Sequence, residues 1–135
     1  MKDEELVKLA FKARETSYSP YSNFKVGAAL LAKSGEVYTG CNIESASYTP
    51  TNCAERTAFF KAVSEGITSF EKIAVVGGPD GAKVELCYPC GVCRQVMAEF
   101  CESDFQIMMA DVEGNMHRYR LDELLPHPFG ADDLK

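Results

Sequence analysis

Three cysteines and one carboxylate are spaced so that they could hold a metal beside a proton carrier. Cys90 and Cys93 form a Cys-x-x-Cys directly after Pro89. Alone, that pair is ambiguous between a zinc site, a thioredoxin-like dithiol and chance. A thioredoxin-like pair is expected after the first strand of a βαβ unit, with only two cysteines involved. Here a third, Cys53, lies in an equivalent setting: it too follows a proline-containing loop and opens a helical pattern. Two helix N-termini can thus present three thiolates to one point, where the positive dipole ends favour deprotonated sulfur. Three protein ligands on tetrahedral zinc leave the fourth position open to water, which separates catalytic from structural zinc. A closed site needs a fourth ligand, and His117 and His127 fall in a strand pattern and in the C-terminal tail, neither beside a second Cys-x-x-Cys.

Glu55 is the partner such a site requires. It follows Cys53 by two residues, and both side chains lean over the same helix end because Cα–Cβ bonds tilt toward the N-terminus. A carboxylate there reaches the open position without being a ligand. Zinc with three thiolates carries a net charge of about −1, which blunts its power to acidify water. The helix termini, with Arg56 or Arg94, are the groups available to offset it. Outside this setting, Glu55 would read as a dipole-favoured surface acid and both arginines as solvated helix face.

The elements that must position these residues follow from periodicity. Residues 3–16 read as an amphipathic helix with Leu6, Leu9, Ala10 and Ala13 at helical spacing and Asp3 as N-cap. Residues 17–23 are turn chemistry, 24–32 a largely buried strand, and VYTG the return of a hairpin. The segment 41–52 has no clear period, and Pro50 delays a helix until CAERTAFFKAVSEG, where Ala54, Ala58, Phe59, Ala62 and Val63 form one stripe and Gly66 a stop. KIAVVGG reads as a central strand, 79–86 as a polar loop and Gly91 to Cys101 as a second helix. FQIMMAD and MHRYRL follow as strands, and DELL as a last helical turn. This order predicts an α/β fold, with right-handed crossovers and helices packed on a mixed sheet.

Composition bounds the partners. At 135 residues the chain matches a single domain, 1–135, and its 46% apolar and 25% charged content is that of a globular protein. A net charge of −6, with no run of Lys or Arg, argues against a polynucleotide partner. No stretch nears the ~20 apolar residues of a membrane span, and the charged N-terminus lacks a signal peptide's apolar core. The expectation is therefore a cytoplasmic protein, in which clustered cysteines point to metal or redox chemistry. Cys41 and Cys101 read as small buried hydrophobes; Cys87 has no assignable role.

Cys53-Ala54-Glu55 and Pro89-Cys90-Gly91-Val92-Cys93 fit the all-cysteine form of the zinc deaminase signature. With CNIES (41–45), CAERTA (53–58), PCGVCRQV (89–96) and the ELLP and Phe129 of the tail, the chain resembles the small homotetrameric cytidine deaminases from about Tyr18 to Phe129. The resemblance implies a three-layer α/β/α fold with a mixed sheet of about five strands. It also implies one Zn2+ per chain on Cys53, Cys90 and Cys93, and hydrolytic deamination of cytidine and 2′-deoxycytidine in pyrimidine salvage.

By the same resemblance, Glu55 would carry protons from the zinc water to ring N3 and then to the leaving amine, and Arg56 would bond to ligand sulfur. Phe24 would contact the pyrimidine, Asn42 and Glu44 the ribose 3′-hydroxyl, and the Ala54 backbone the base. Ala46, Tyr48 and Phe129 would complete a neighbouring subunit's pocket in a homotetramer with shared active sites, acting on a free nucleoside with no nucleic-acid or membrane partner. Apart from the resemblance, Phe24 and Phe129 read equally as packing and Asn42 as turn chemistry. An acid at position 44, between an apolar strand and a helix, has little structural reason to be there. Tyr88 departs from the family pattern, which often has serine before the Pro-Cys, and Thr49–Asn52 is idiosyncratic. A deaminase of antibiotic nucleosides or of polynucleotides shares the zinc core. A metal-stabilised binding module and a metal-free dithiol protein are the alternatives outside that chemistry.

Overall fold

The computed structural model describes residues 1–134. Among the described residues, five strands run β1 (Phe24–Ala32), β2 (Val37–Cys41), β3 (Phe70–Pro79), β4 (Gln106–Ala110) and β5 (Met116–Arg120), arranged in the order β2-β1-β3-β4-β5. Helices α1 (Asp3–Arg14), α2 (Ala54–Ser64), α3 (Gly91–Phe100) and the short α4 (Leu121–Leu124) complete the α-helical elements, and a 3-10 turn closes residues 131–134. The β3–β4 pair is parallel and the other neighbours antiparallel, giving the mixed sheet the sequence predicts. A parallel pair cannot be joined by a hairpin, so the chain crosses over through α3 to reach β4.

The strands alternate strictly between two cores. Ala28, Leu30, Ile73, Val75, Ile107 and Met109 face one side, where Ala58, Phe59 and Ala62 of α2 and Met97 of α3 pack. Ala29, Leu31, Ala74, Val76, Met108 and Ala110 face the other, against Leu6 and Ala10 of α1. The result is a three-layer α/β/α arrangement with α2 and α3, whose N-terminal ends carry Cys53, Cys90 and Cys93, on one face.

Two glycines set how closely the outer layers approach. A Cβ on Gly27 would lie 2.1 Å from the Ala10 carbonyl oxygen, so α1 rests directly on β1. A Cβ on Gly40 would lie 2.5 Å from the Ala54 carbonyl oxygen and 2.6 Å from the Ala58 nitrogen, so the first turns of α2 rest on β2.

Three details depart from the sequence reading. Asp3 is not the N-cap of α1: Lys2 occupies that position without a side-chain bond. The Asp3 carboxylate instead pairs with Lys72 of β3 at 2.5 Å and accepts from Arg118 Nε of β5 at 3.0 Å, because two cations from the sheet outbid a helix's own first turn. The 79–86 loop is not wholly polar, since Val84 is buried against the α1-side core. Cys41 and Cys101 are half-buried rather than buried. Cys101 packs at the margin of the α2-side core, and Cys41 accepts from Thr16 Oγ1 at 3.6 Å.

Substituting Gly27→Ala should destabilise the protein by about 1–3 kcal/mol or more, since the added methyl meets backbone that cannot rotate away. Gly130→Ala, whose Cβ would meet nothing within 4 Å, should stay within about 0.5 kcal/mol of the parent. Urea midpoints of the two variants check this, and equal midpoints would contradict the packing described.

Candidate active site

Cys53 is the N-cap of α2 and Cys90 the N-cap of α3, with Cys93 in the first turn of α3. All three sulfurs lie within 4.8 Å of one another. The Cys53–Cys90 separation is 3.6 Å and the Cys90–Cys93 separation 3.5 Å. Tetrahedral zinc with bonds of about 2.3 Å places its sulfurs about 3.8 Å apart, so the cluster fits that ion with little adjustment. Among the described residues no other group of His, Cys, Asp and Glu converges in this way, and neither His117 nor His127 joins it.

The electrostatics of the cluster also call for a cation. A hydrogen bond from the Cys93 thiol, aided by Arg56 and Cys90, lowers Cys53 to about 5 against the cost of burial. The same bond, together with burial, pushes Cys93 well above the ordinary thiol range. Cys53 is thus favoured as thiolate while Cys93 is held protonated in the absence of added positive charge. Arg56 supplies part of it, donating from Nη2 to Cys53 Sγ at 3.3 Å, while its buried Nε has no hydrogen-bond partner. Arg94 does not contribute to the cluster and is no solvated face. Its Nε donates to the Pro89 carbonyl and its Nη1 to the Leu124 carbonyl, both at 2.7 Å, which ties the cysteine loop to α3 and α4.

Glu55 is 4% exposed. Burial pushes its carboxyl up to about 7, with the neighbouring Cys53 charge adding to the rise and Arg56 opposing it. A cavity of about 180 Å3 opens beside it, lined by residues that include Cys53, Ala54, Glu55, Cys90, Asn42 and Glu44. These six were all singled out in the sequence.

The two polar residues at the far end carry structural duties that the sequence did not reveal. Asn42 Oδ1 accepts from the Val26 amide at 2.9 Å and from Ser17 Oγ at 2.5 Å, and its Nδ2 donates to the Phe24 carbonyl at 2.8 Å. Glu44 has a clear structural role, contrary to the sequence reading. Its Oε1 accepts the amides of Tyr21 and Ser22 at 3.0 and 3.1 Å, and its Oε2 accepts from Ser22 Oγ. The Ser22 hydroxyl bond leads these contacts in holding the carboxyl below the ordinary range.

The remaining candidates lie outside the cavity wall. Phe24 opens β1 and packs partly against the α2-side core. Tyr48 is 85% exposed and lines an adjoining hollow that shares Glu44 and Thr51 with the cavity. Ala46 is exposed on the same loop, and Phe129 is exposed with its carbonyl held by Gln95 Nε2 at 2.7 Å. Val26, Thr51, Asn52, Cys87 and Tyr88 also line the cavity. Of these, only Tyr88 and the 49–52 segment were signalled in the sequence, by their departure from the family pattern. Gly77 makes room for Cys87: a Cβ there would lie 2.8 Å from its sulfur.

Residues 1–109 match the family described as the cytidine and deoxycytidylate deaminase zinc-binding region. The chain belongs to the zinc-dependent cytidine deaminase family. It is 50% identical over 131 residues to a cytidine deaminase of Sporosarcina psychrophila, covering 97% of this chain and 93% of that protein. Its fold superposes on a crystal structure of a Burkholderia pseudomallei cytidine deaminase with a TM-score of 0.87 and 44% identity, over 96% of this chain and 100% of that one. A blasticidin-S deaminase of Bacillus cereus is 30% identical over 92% of this chain and 89% of that protein. Membership makes this chain a zinc-dependent hydrolytic deaminase, and the three sulfurs form its candidate metal site.

The raised carboxyl has a measurable consequence in the metal-free protein. Between the ordinary value of 4.5 and about 7, folded Glu55 holds a proton that the unfolded chain has released. Its contribution to stability is therefore complete below the lower value and is lost as pH rises to the upper one. At about 1.4 kcal/mol per pKa unit the loss is about 3 kcal/mol. Chelated wild type should lose that much relative to chelated Glu55→Gln as pH rises from about 4 to about 8 in denaturant titrations. Parallel profiles would rule out the buried proton.

Proposed function

We propose that this chain hydrolyses cytidine and 2′-deoxycytidine to uridine and 2′-deoxyuridine plus ammonia, residues 1–135 acting as one catalytic domain. The reading rests on the buried Glu55 carboxyl sharing a cavity with Cys53 and Cys90 of the three-sulfur cluster. One zinc ion, held by Cys53, Cys90 and Cys93, supplies the Lewis acidity that takes a water's pKa from about 15.7 toward about 7.

Glu55 accepts a proton from the attacking water and delivers it to ring N3, which makes C4 electrophilic. Once the oxygen has bonded to C4, Glu55 takes the second proton from that hydroxyl and passes it to the exocyclic nitrogen, the C4–N bond breaks as C4=O forms, and ammonia leaves. Arg56 keeps the Cys53 charge from weakening the site, and the Ala54 backbone, at the first turn of α2, meets the polar edge of the base. Phe24 contacts the pyrimidine from the start of β1.

At the sugar end, the geometry leaves each polar group one position free. Asn42 Nδ2 has a second hydrogen beyond the one given to Phe24. Glu44 Oε2 has a lone pair beyond the one taken by Ser22. The two can receive a ribose hydroxyl as acceptor and donor at once, which favours a nucleoside over a free base. The acidic surface favours a free nucleoside over a polynucleotide. The exposed Ala46, Tyr48 and Phe129 suit a homotetramer in which each subunit closes a neighbour's pocket, working in cytoplasmic pyrimidine salvage.

Ammonia release should be seen with cytidine and 2′-deoxycytidine and be absent with cytosine and with a cytosine-containing oligonucleotide. Glu55→Gln should retain one zinc per chain while kcat falls by about a hundredfold or more. Undiminished turnover in that variant would remove Glu55 from the proton path. Glu44→Gln should act mainly through KM, by about tenfold, since a hydrogen bond to a charged group contributes about 1.5–3 kcal/mol. A pure kcat effect would assign Glu44 elsewhere.

A further inference from the structure

Tyr88 lines the cavity yet takes no part in the chemistry above. It is 45% exposed, and such a tyrosine ordinarily samples several rotamers. This one is restrained at both ends. Pro89 confines the preceding backbone to extended conformations, and the Pro89 carbonyl is itself held by Arg94 Nε at 2.7 Å. At the tip, its ring leans on Tyr119 of β5, with centroids 5.7 Å apart at 60° and hydroxyls 3.2 Å apart.

The position of this braced ring is set by the chain. Two peptide links of about 3.8 Å keep the Tyr88 Cα within about 7.6 Å of the Cys90 Cα. Tyr88 therefore joins the cavity wall as a near neighbour of Cys90 in the chain, whereas Glu44 comes from the separate 41–52 segment. The atom that reacts must lie at the sulfur end, and so must whatever is carried by its amino nitrogen and by the adjacent ring carbon.

We propose that Tyr88, braced by Tyr119, is a specificity-determining residue that excludes substituents on the exocyclic nitrogen and on C5 of the pyrimidine. The inference rests on the deaminase reading. Small groups also line the cavity, at Val26 and Cys87, so the tyrosine is the bulk that decides the clearance. β5 itself does not line the cavity, but through Tyr119 this edge strand bears on the ring that does.

The test compares kcat/KM for cytidine, N4-methylcytidine and 5-methylcytidine in the zinc-loaded wild type, Tyr88→Ser and Tyr119→Phe, following uridine or 5-methyluridine formation with zinc per chain measured alongside. Tyr88→Ser should raise the ratio of methylated to unmethylated substrate by about tenfold or more, the scale of one methyl group in a tight pocket. Tyr119→Phe should raise it a few-fold, by freeing the ring without shrinking it. Unchanged ratios, or ratios altered only by loss on cytidine, would overturn the inference while leaving the deaminase reading intact. A wild type that leaves cytidine untouched would overturn both. Should Tyr88→Ser fail to fold, Tyr88→Leu and Tyr119→Phe carry the same comparison.

Discussion

Three thiols held within 4.8 Å of one another can share one negative charge unaided but not three. That constraint organises the molecule around them. Each sulfur sits at a helix N-terminus, where unpaired amides and the helix dipole offer partial positive charge, and Arg56 adds a full one. The buried Arg56 Nε goes without a partner of its own, so the guanidinium is oriented for sulfur at some cost in hydrogen bonding. Together these donors favour the Cys53 thiolate, and a bound cation would complete the neutralisation.

Holding two helix ends at sulfur-contact distance is the work of the sheet. Gly40 lets α2 lie directly on β2, which fixes the height of Cys53. Thr57 Oγ1 donates back to the Cys53 carbonyl at 3.1 Å and accepts from Asn52 Nδ2 at 3.2 Å, locking the entry to the helix. Asn52 in turn pairs through its backbone with Ile43, closing the loop that carries Glu44 and Tyr48. Arg94 does the corresponding work for α3 by gripping Pro89 and Leu124. Elements far apart in sequence thus converge on two short segments, and a small error at either would separate the sulfurs.

Much of this was legible in the sequence because the signals were local. The apolar alternation of β1, β3 and β4 and the stripe of α2 each lie within one segment, as do Cys53–Glu55 and Pro89–Cys93. What escaped was long-range. Asp3 looked like a cap until two cations from β3 and β5 were brought to it. Glu44 looked free of structural duty because its partners, Tyr21 and Ser22, precede it by a whole hairpin. Cys87 gained a place in the wall only through Gly77, which makes room for its sulfur from the central strand. Composition and periodicity carry no information on such pairs.

In the proposed reaction, the two demands on Glu55 are met by its burial. A carboxyl left in water ionises near 4.5 and would hold a proton too briefly at neutral pH to return it to a departing nitrogen. Burial raises it to about 7, where taking and giving a proton cost nearly the same. Burial alone would keep the group protonated part of the time and spoil it as a base. The positive charge that satisfies the sulfurs acts in the opposite direction, favouring the carboxylate when water is to be deprotonated. A cation bound by the three sulfurs would therefore set both their charge and the proton affinity of Glu55, which suits an acid two residues from Cys53.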